Sequence, residues 1–190
     1  MSVIDELVSA NRAAAEAREA ATAGLPGAPS RGVAIVTCMD CRIDVEAALG
    51  LGLGEAHVLR NAGGVVTDDV IRSLALSQRK LGTREVMLIH HDKCGVATIT
   101  DDGFRAELRE ATGVAPAFAI ESFTDVEADV RQSVERVRRS PFLPHRDAVR
   151  GFVYDVDTGA LREVEAEVMV GGGDPDRTSV VANPPGEEVI

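Results

Sequence analysis

The sequence lacks the features that would place the protein in a membrane or on nucleic acid. No uninterrupted apolar stretch approaches the roughly 18 residues of a transmembrane span. The first six residues lack the charged and apolar regions of a secretory signal, so we expect a cytoplasmic protein. The Lys and Arg residues form no basic block, and the net charge is −11. Nucleic acid and anionic membranes are therefore poor partners.

Cysteine is also scarce. The chain has 3 Cys, an odd number that argues against a disulfide framework. In a reducing compartment such cysteines favour metal binding or catalysis.

The length of 190 residues suits one sizeable core. We predict a single domain over residues 1–170 with an N-terminal helical arm, followed by a disordered acidic tail, rich in Gly and Pro, over residues 171–190.

The pattern along the chain alternates strands with helices. Val33–Thr37 is a continuous run dominated by β-branched residues, which is typical of a strand buried on both faces of a parallel sheet. Further strands are predicted over residues 56–60, 85–90 and 116–120, helices over 3–22, 43–50, 68–81 and 125–139, and a hairpin over 149–154 and 161–168. The predicted fold is α/β, with about four parallel strands plus a C-terminal antiparallel edge strand or hairpin, flanked by helices.

Two short segments carry the chemistry. Cys38-Met39-Asp40-Cys41-Arg42 follows the first strand, and His91-Asp92-Lys93-Cys94-Gly95 follows the third. Ligand sites in open α/β sheets lie at the carboxyl ends of strands, so both segments meet if these strands are neighbours. Two thiolates and one imidazole suit zinc, and three ligands leave one tetrahedral position open, as catalytic sites require. We predict one zinc per chain, held by Cys38, His91 and Cys94.

Cys41 leaves two alternatives open. It could join the same three ligands in a closed structural zinc site, or form a redox-active pair with Cys38. A closed site would leave Asp40 and Arg42 at the metal's edge without a role. We therefore favour an open site in which Cys41 is not a ligand.

Two further features lie near these segments. The Asn61-Ala62-Gly63-Gly64 loop follows the second strand at the same sheet edge, where its glycines would let the backbone approach a small substrate. By itself such a loop is only a tight turn. His90 precedes His91 and should point to the other face of the strand, so we interpret it as structural.

The two segments at the strand ends resemble the signatures of a known family. Cys-x-Asp-x-Arg after one strand and His-x-x-Cys-Gly after another are the paired signatures of β-carbonic anhydrases, and Asn61–Gly64 stands where that family has an Asn-Ala-Gly segment. The similarity covers about residues 30–165 and is strongest to the short bacterial and actinobacterial-type branch. Position 41, usually a small residue such as Ser or Ala, is Cys in this sequence.

The resemblance implies a zinc enzyme that interconverts carbon dioxide and bicarbonate, assembled as a homodimer or a multiple of dimers. It implies that Cys38, His91 and Cys94 are the zinc ligands and that Asp40 and Arg42 form the catalytic pair, and we place substrate binding at Gly63 and Gly64. The same scaffold also supports hydrolysis of carbon disulfide or carbonyl sulfide, which stays open as an alternative beside a non-catalytic protein with a structural zinc.

Overall fold

A computed structural model describes residues 2–16, 18 and 24–165 of the chain. Five strands form one sheet in the order β2-β1-β3-β4-β5, in which the first four are parallel and β5 is antiparallel to β4. This arrangement confirms the predicted fold class. In chain order the elements are α1 Val3–Glu16, β1 Val33–Cys38, α2 Val45–Leu49, β2 Ala56–Asn61, α3 Asp68–Leu81, β3 Glu85–His91, α4 Asp101–Thr112, α5 Val126–Arg139, β4 Val149–Tyr154 and β5 Leu161–Val164.

The core lies on both faces of the sheet because side chains alternate along each strand. On one face, Val36 and Leu88 pack with Val134, which belongs to α5. On the other face, Ile35 and Ile89 pack with apolar residues from the connecting loops. Strand β1 lies between β2 and β3 and is buried from its second residue to its last, as its apolar run predicts.

The two long central helices follow their predicted boundaries. The hydroxyl of Thr67 accepts a hydrogen bond from the N–H of Val70 at the start of α3, and Gly82 ends this helix in the left-handed region at φ 78°. The carboxylate of Asp125 caps α5 by accepting the N–H groups of Glu127 and Ala128. Both helices are thus defined by their capping residues as well as by their apolar faces.

The strand predicted over residues 116–120 is wrong. The chain there is irregular, because Pro116 has no N–H to donate and the guanidinium of Arg105 binds the carbonyl oxygens of Pro116 and Phe118. Arg105 belongs to α4, which begins at Asp101, whereas the sequence after Cys94 predicts a helix that starts near Gly95. The fourth parallel strand is instead β4, which we had predicted as the first arm of the hairpin.

Some predicted boundaries extend past the described residues. The N-terminal helix was predicted over residues 3–22 and ends at Glu16, while residues 17 and 19–23 lie outside the described part. Residues 166–190, which include the predicted tail, also lie outside it. Among the described residues, no helix is long and apolar enough to cross a membrane.

Gly64 lets the loop after β2 pack against the central strands. Its φ is 74°, and a Cβ at this position would lie 2.8 Å from the backbone nitrogen of Cys38 and 3.1 Å from the carbonyl oxygen of Ile89. Backbone atoms in paired strands cannot move away easily. Only glycine combines this left-handed conformation with so close an approach.

Gly64→Ala is therefore expected to destabilise the protein more than a glycine replacement in open space. Gly82→Ala is the matched control, because Gly82 has φ 78° but no atom within 4 Å of its added Cβ. The control should cost about 1–2 kcal/mol from backbone strain, and Gly64→Ala at least about 2 kcal/mol more from the steric clash. Urea unfolding of both variants measures the difference, and equal costs would contradict this packing.

Candidate metal centre

Three side chains converge at the carboxyl ends of β1 and β3. Cys38 is the last residue of β1, His91 is the last of β3, and Cys94 precedes a short 3₁₀ helix over Gly95–Thr98. The sulfur atoms of Cys38 and Cys94 lie 4.0 Å apart, and one potential ligand atom from each of the three residues lies within 4.8 Å of the others. All three residues are buried. The prediction that these distant residues meet is confirmed.

The imidazole of His91 is oriented for ligation. Its Nδ1 lies 2.7 Å from the backbone oxygen of Asp92, which can only accept, so Nδ1 carries the proton. Nε2 then has a free lone pair, and this buried atom has no hydrogen-bond partner in the protein. A backbone carbonyl that fixes the tautomer of a histidine in this way is the usual outer partner of a metal ligand.

The two sulfur atoms differ in their readiness to ionise. The thiol of Cys94 is the main group that lowers the pKa of Cys38 to about 4, and the N–H groups of Asp40 and Gly63 act in the same direction. The pKa of Cys94 is raised, because its proton is held against Cys38 and because the site is buried. The first negative charge of the pair therefore resides on Cys38.

The donor set fits zinc. Tetrahedral coordination with Zn–S bonds of about 2.3 Å places two sulfurs about 3.8 Å apart, close to the 4.0 Å between Cys38 and Cys94. Two thiolates and an imidazole are ligands that zinc prefers, and a divalent cation would relieve the repulsion between two buried thiolates. Three protein donors leave one tetrahedral position for a water molecule or a substrate.

Asp40 and Arg42 form a tight pair at the edge of this cluster. Oδ1 of Asp40 accepts the backbone N–H and the Nε–H of Arg42, both at 2.9 Å, and Oδ2 accepts Nη2–H at 2.6 Å. These bonds hold the pKa of Asp40 well below its usual range. Oδ2 also lies 3.8 Å from Nε2 of His91. An ionised carboxylate thus stands beside the three candidate ligands.

Arg60 supports this loop, and the sequence reading missed it. Its Nε donates to the carbonyl oxygen of Cys38 at 2.9 Å, and its Nη2 donates to that of Asp40 at 2.6 Å. One sequence feature could have identified Arg60: it lies at the end of the second predicted strand, on the same sheet edge as the cysteine loop. Arg60 is paired with Thr37 in the sheet register, which places its guanidinium beside the turn that follows β1.

The other residues considered as candidates lie in different parts of the structure. Cys41 is exposed and does not belong to the cluster. His90 is fully buried on the opposite face of β3, as predicted, with Nε2 2.6 Å from Oδ2 of Asp129 on α5. Gly63 lies beside the cluster, where its amide helps to lower the pKa of Cys38, whereas Gly64 faces the strands β1 and β3.

A cleft of about 440 Å³ opens onto the cluster. His91 and Cys94 form part of its wall, and Phe123, Thr124 and Val126 line it from the segment that enters α5. The sequence reading did not identify this wall, because the segment carries no motif and reaches the cleft only through the packing of α5 on the sheet. A largely apolar wall beside polar donors suits a small ligand with little charge.

Comparison with known proteins places these observations in a family. The family model described as "Carbonic anhydrase" matches residues 33–161. "Beta-carbonic anhydrase 1" of Mycobacterium tuberculosis is 56% identical over 140 residues, covering 74% of this chain and 86% of that protein. "Carbon disulfide hydrolase" of Acidithiobacillus thiooxidans is 35% identical over 159 residues, covering 73% and 79%. The solved carbonic anhydrase of Streptococcus mutans is 46% identical with a TM-score of 0.81, covering 87% and 99%.

The geometry of the cluster predicts which cysteines matter for metal binding. Cys38→Ser, His91→Ala and Cys94→Ser should each lose most of the roughly one zinc expected per chain, because each removes one of three donors. Cys41→Ser is the matched control and should keep its zinc, since Cys41 is exposed outside the cluster. Elemental analysis after gel filtration gives the stoichiometry. Zinc loss in Cys41→Ser equal to that in the other variants would indicate a closed structural site.

Proposed function

Because the chain belongs to the β-carbonic anhydrase family, we propose that it hydrates carbon dioxide reversibly to bicarbonate and a proton, with zinc held by Cys38, His91 and Cys94. The observation that carries this proposal is the convergence of three buried donors with an ionised carboxylate, that of Asp40, at their edge. A purely structural zinc site has no use for an open fourth position or for a charged neighbour.

A zinc ion at this site would lower the pKa of a water molecule to about 7, so that hydroxide forms near neutral pH. The protein's own groups then orient the reaction. Oδ1 of Asp40 is occupied by two hydrogen bonds from Arg42, whereas Oδ2 accepts only one and faces His91. Oδ2 therefore keeps the capacity to accept a hydrogen bond from the attacking hydroxide, which would aim a lone pair of the hydroxide oxygen at the substrate carbon.

Arg42 has two tasks in this proposal. Its hydrogen bonds keep Asp40 ionised across the working pH range, because they hold the pKa of the carboxyl far below neutrality. The same bidentate contact holds the carboxylate at a fixed position beside the cluster. Without this restraint Asp40 could rotate towards the metal and take the position that water needs.

We propose that Gly63 forms part of the substrate site. A Cβ there would lie 3.2 Å from both Phe123 and Val65, so glycine lets the loop pack closely against Phe123, which lines the cleft at the cluster. Apolar walls suit carbon dioxide, which has no net charge. Gly64 would contribute to the substrate site only indirectly, because it anchors the loop to β1 and β3.

Hydrolysis of carbon disulfide is a second candidate, supported by relatives of that name at 35% identity or below. The reaction would use the same three ligands and the same carboxylate. Carbon dioxide is favoured, since the mycobacterial relative named a carbonic anhydrase is 56% identical. Stopped-flow hydration of carbon dioxide, run beside an assay for sulfide release from carbon disulfide, distinguishes the two activities on one zinc-loaded preparation.

Assembly is proposed from the N-terminal helix. The apolar residues Val3, Ile4, Leu7 and Val8 are all largely exposed, and no residue of α1 is buried in the single chain. We propose that a second copy covers this face in a homodimer or a larger assembly. A structural neighbour from Sordaria macrospora is described as tetrameric and is 19% identical, so it bears only on the fold.

Asp40→Asn should retain zinc and lose activity. The amide keeps the size of the side chain but removes the charged acceptor, and loss of such a group commonly lowers a rate about 100-fold or more. Asp69→Asn is the control, since Asp69 is an exposed carboxylate of α3 paired with Arg72. Stopped-flow rates with measured zinc content test this. Equal rates for wild type and Asp40→Asn at every pH would contradict the proposed mechanism.

Leu7→Glu should weaken the assembly, because it places a charge in the centre of the exposed apolar face of α1. Ser9→Glu adds the same charge to the opposite side of the helix and serves as the control. Light scattering at micromolar concentration should report an oligomer for wild type and the control, and a smaller species for Leu7→Glu. A fully active wild-type monomer would refute the role of this helix.

A further inference from the structure

The turn between His91 and Cys94 has a backbone conformation that needs support. Lys93, the residue before Cys94, has φ 52°, in the left-handed region that non-glycine residues rarely occupy. Such a residue persists only where its surroundings hold it in place. Any relaxation of this turn would move both His91 and Cys94, so the contacts that hold it bear directly on the metal centre.

Asp92 makes three contacts in this turn, and two of them reach the chain at the end of β4. Its backbone N–H donates to the carbonyl oxygen of Tyr154 at 3.1 Å. Oδ1 of its side chain accepts the N–H of Val156 at 2.9 Å. Its own carbonyl oxygen accepts Nδ1–H of His91 at 2.7 Å. One residue thus connects the end of β4 to the orientation of the imidazole.

The remaining contacts are weaker or shared. Nη2 of Arg42 donates to the carbonyl oxygen of Lys93 at 3.1 Å, but it also serves Asp40. The ammonium of Lys93 pairs with the carboxylate of Asp157, and more than half of each side chain is exposed. Exposed pairs of this kind contribute little to stability. Beside the backbone bond to Tyr154, the side chain of Asp92 is therefore the restraint dedicated to the turn.

We propose that Asp92 is a positioning residue for metal binding. Its carboxylate accepts the N–H of Val156 and thereby fixes the carbonyl group of Asp92, which orients the His91 ring. The inference rests on the metal site proposed above. It assigns a role to the first variable position of the His-x-x-Cys motif and to the turn after β4, neither of which contributes a ligand. A metal-binding side chain is oriented by the hydrogen bond that it donates to an outer acceptor. Its position is therefore only as well defined as the position of that acceptor.

The test is a Co²⁺ titration of the metal-free protein, followed by visible absorption and by competition with a chelator. Asp92→Ala removes the bond to Val156 and should weaken Co²⁺ binding about 10–100-fold, with an altered d–d spectrum at saturating metal. Asp92→Asn keeps an oxygen that accepts the same N–H and should resemble wild type. Asp92→Ser, whose side chain is shorter, should resemble the Ala variant and replaces it if the Ala variant does not fold.

Asp157→Asn is the matched control, because it breaks only the exposed pair with Lys93. It should leave both the Co²⁺ affinity and the spectrum unchanged. Wild-type affinity and spectrum in Asp92→Ala and Asp92→Ser would overturn the inference, as would an Asn variant as impaired as the Ala variant. If wild type itself bound no Co²⁺, the proposed metal site would fail, and this outcome is distinct from a failure of the inference alone.

Discussion

The direct pairing of β1 with β3 in a parallel sheet is the constraint on which the site depends. Their register aligns Thr37 with Ile89, so the residues that follow each strand emerge at the same edge. Cys38 and Cys94, separated by 56 positions in the chain, thereby approach to 4.0 Å. Parallel neighbours also bring the loop after β2 to this edge, where Gly64 packs on the backbone of β1. The fold thus supplies the convergence of the three donors.

Burial and neighbouring charges determine which of these residues are ionised. Two thiols in a buried site would resist ionisation, but the thiol of Cys94 and two backbone amides lower the pKa of Cys38. Arg42 holds the carboxylate of Asp40, and Arg60 binds the carbonyl groups of the same loop. These contacts favour a thiolate and fix an ionised carboxylate beside it, while the sheet keeps both in register.

The sequence predicted most of this site because its chemistry is local to two strand ends. Cys38 and His91 are the last residues of buried apolar strands, and the carboxyl ends of neighbouring parallel strands lie at one edge of the sheet. Phe123 could not be found in this way, since it reaches the site only through the packing of α5. The strand predicted over residues 116–120 failed for a related reason: a short apolar run does not reveal that Arg105 occupies its carbonyl groups.

In the proposed site two cysteines and one histidine hold the zinc, with one position left for another light atom. X-ray absorption at the zinc edge measures this directly in the purified protein. We expect two sulfur neighbours at about 2.3 Å and two nitrogen or oxygen neighbours at about 2.0–2.1 Å. Three sulfur neighbours would contradict it, because the third could come only from Cys41 and would close the site that catalysis needs.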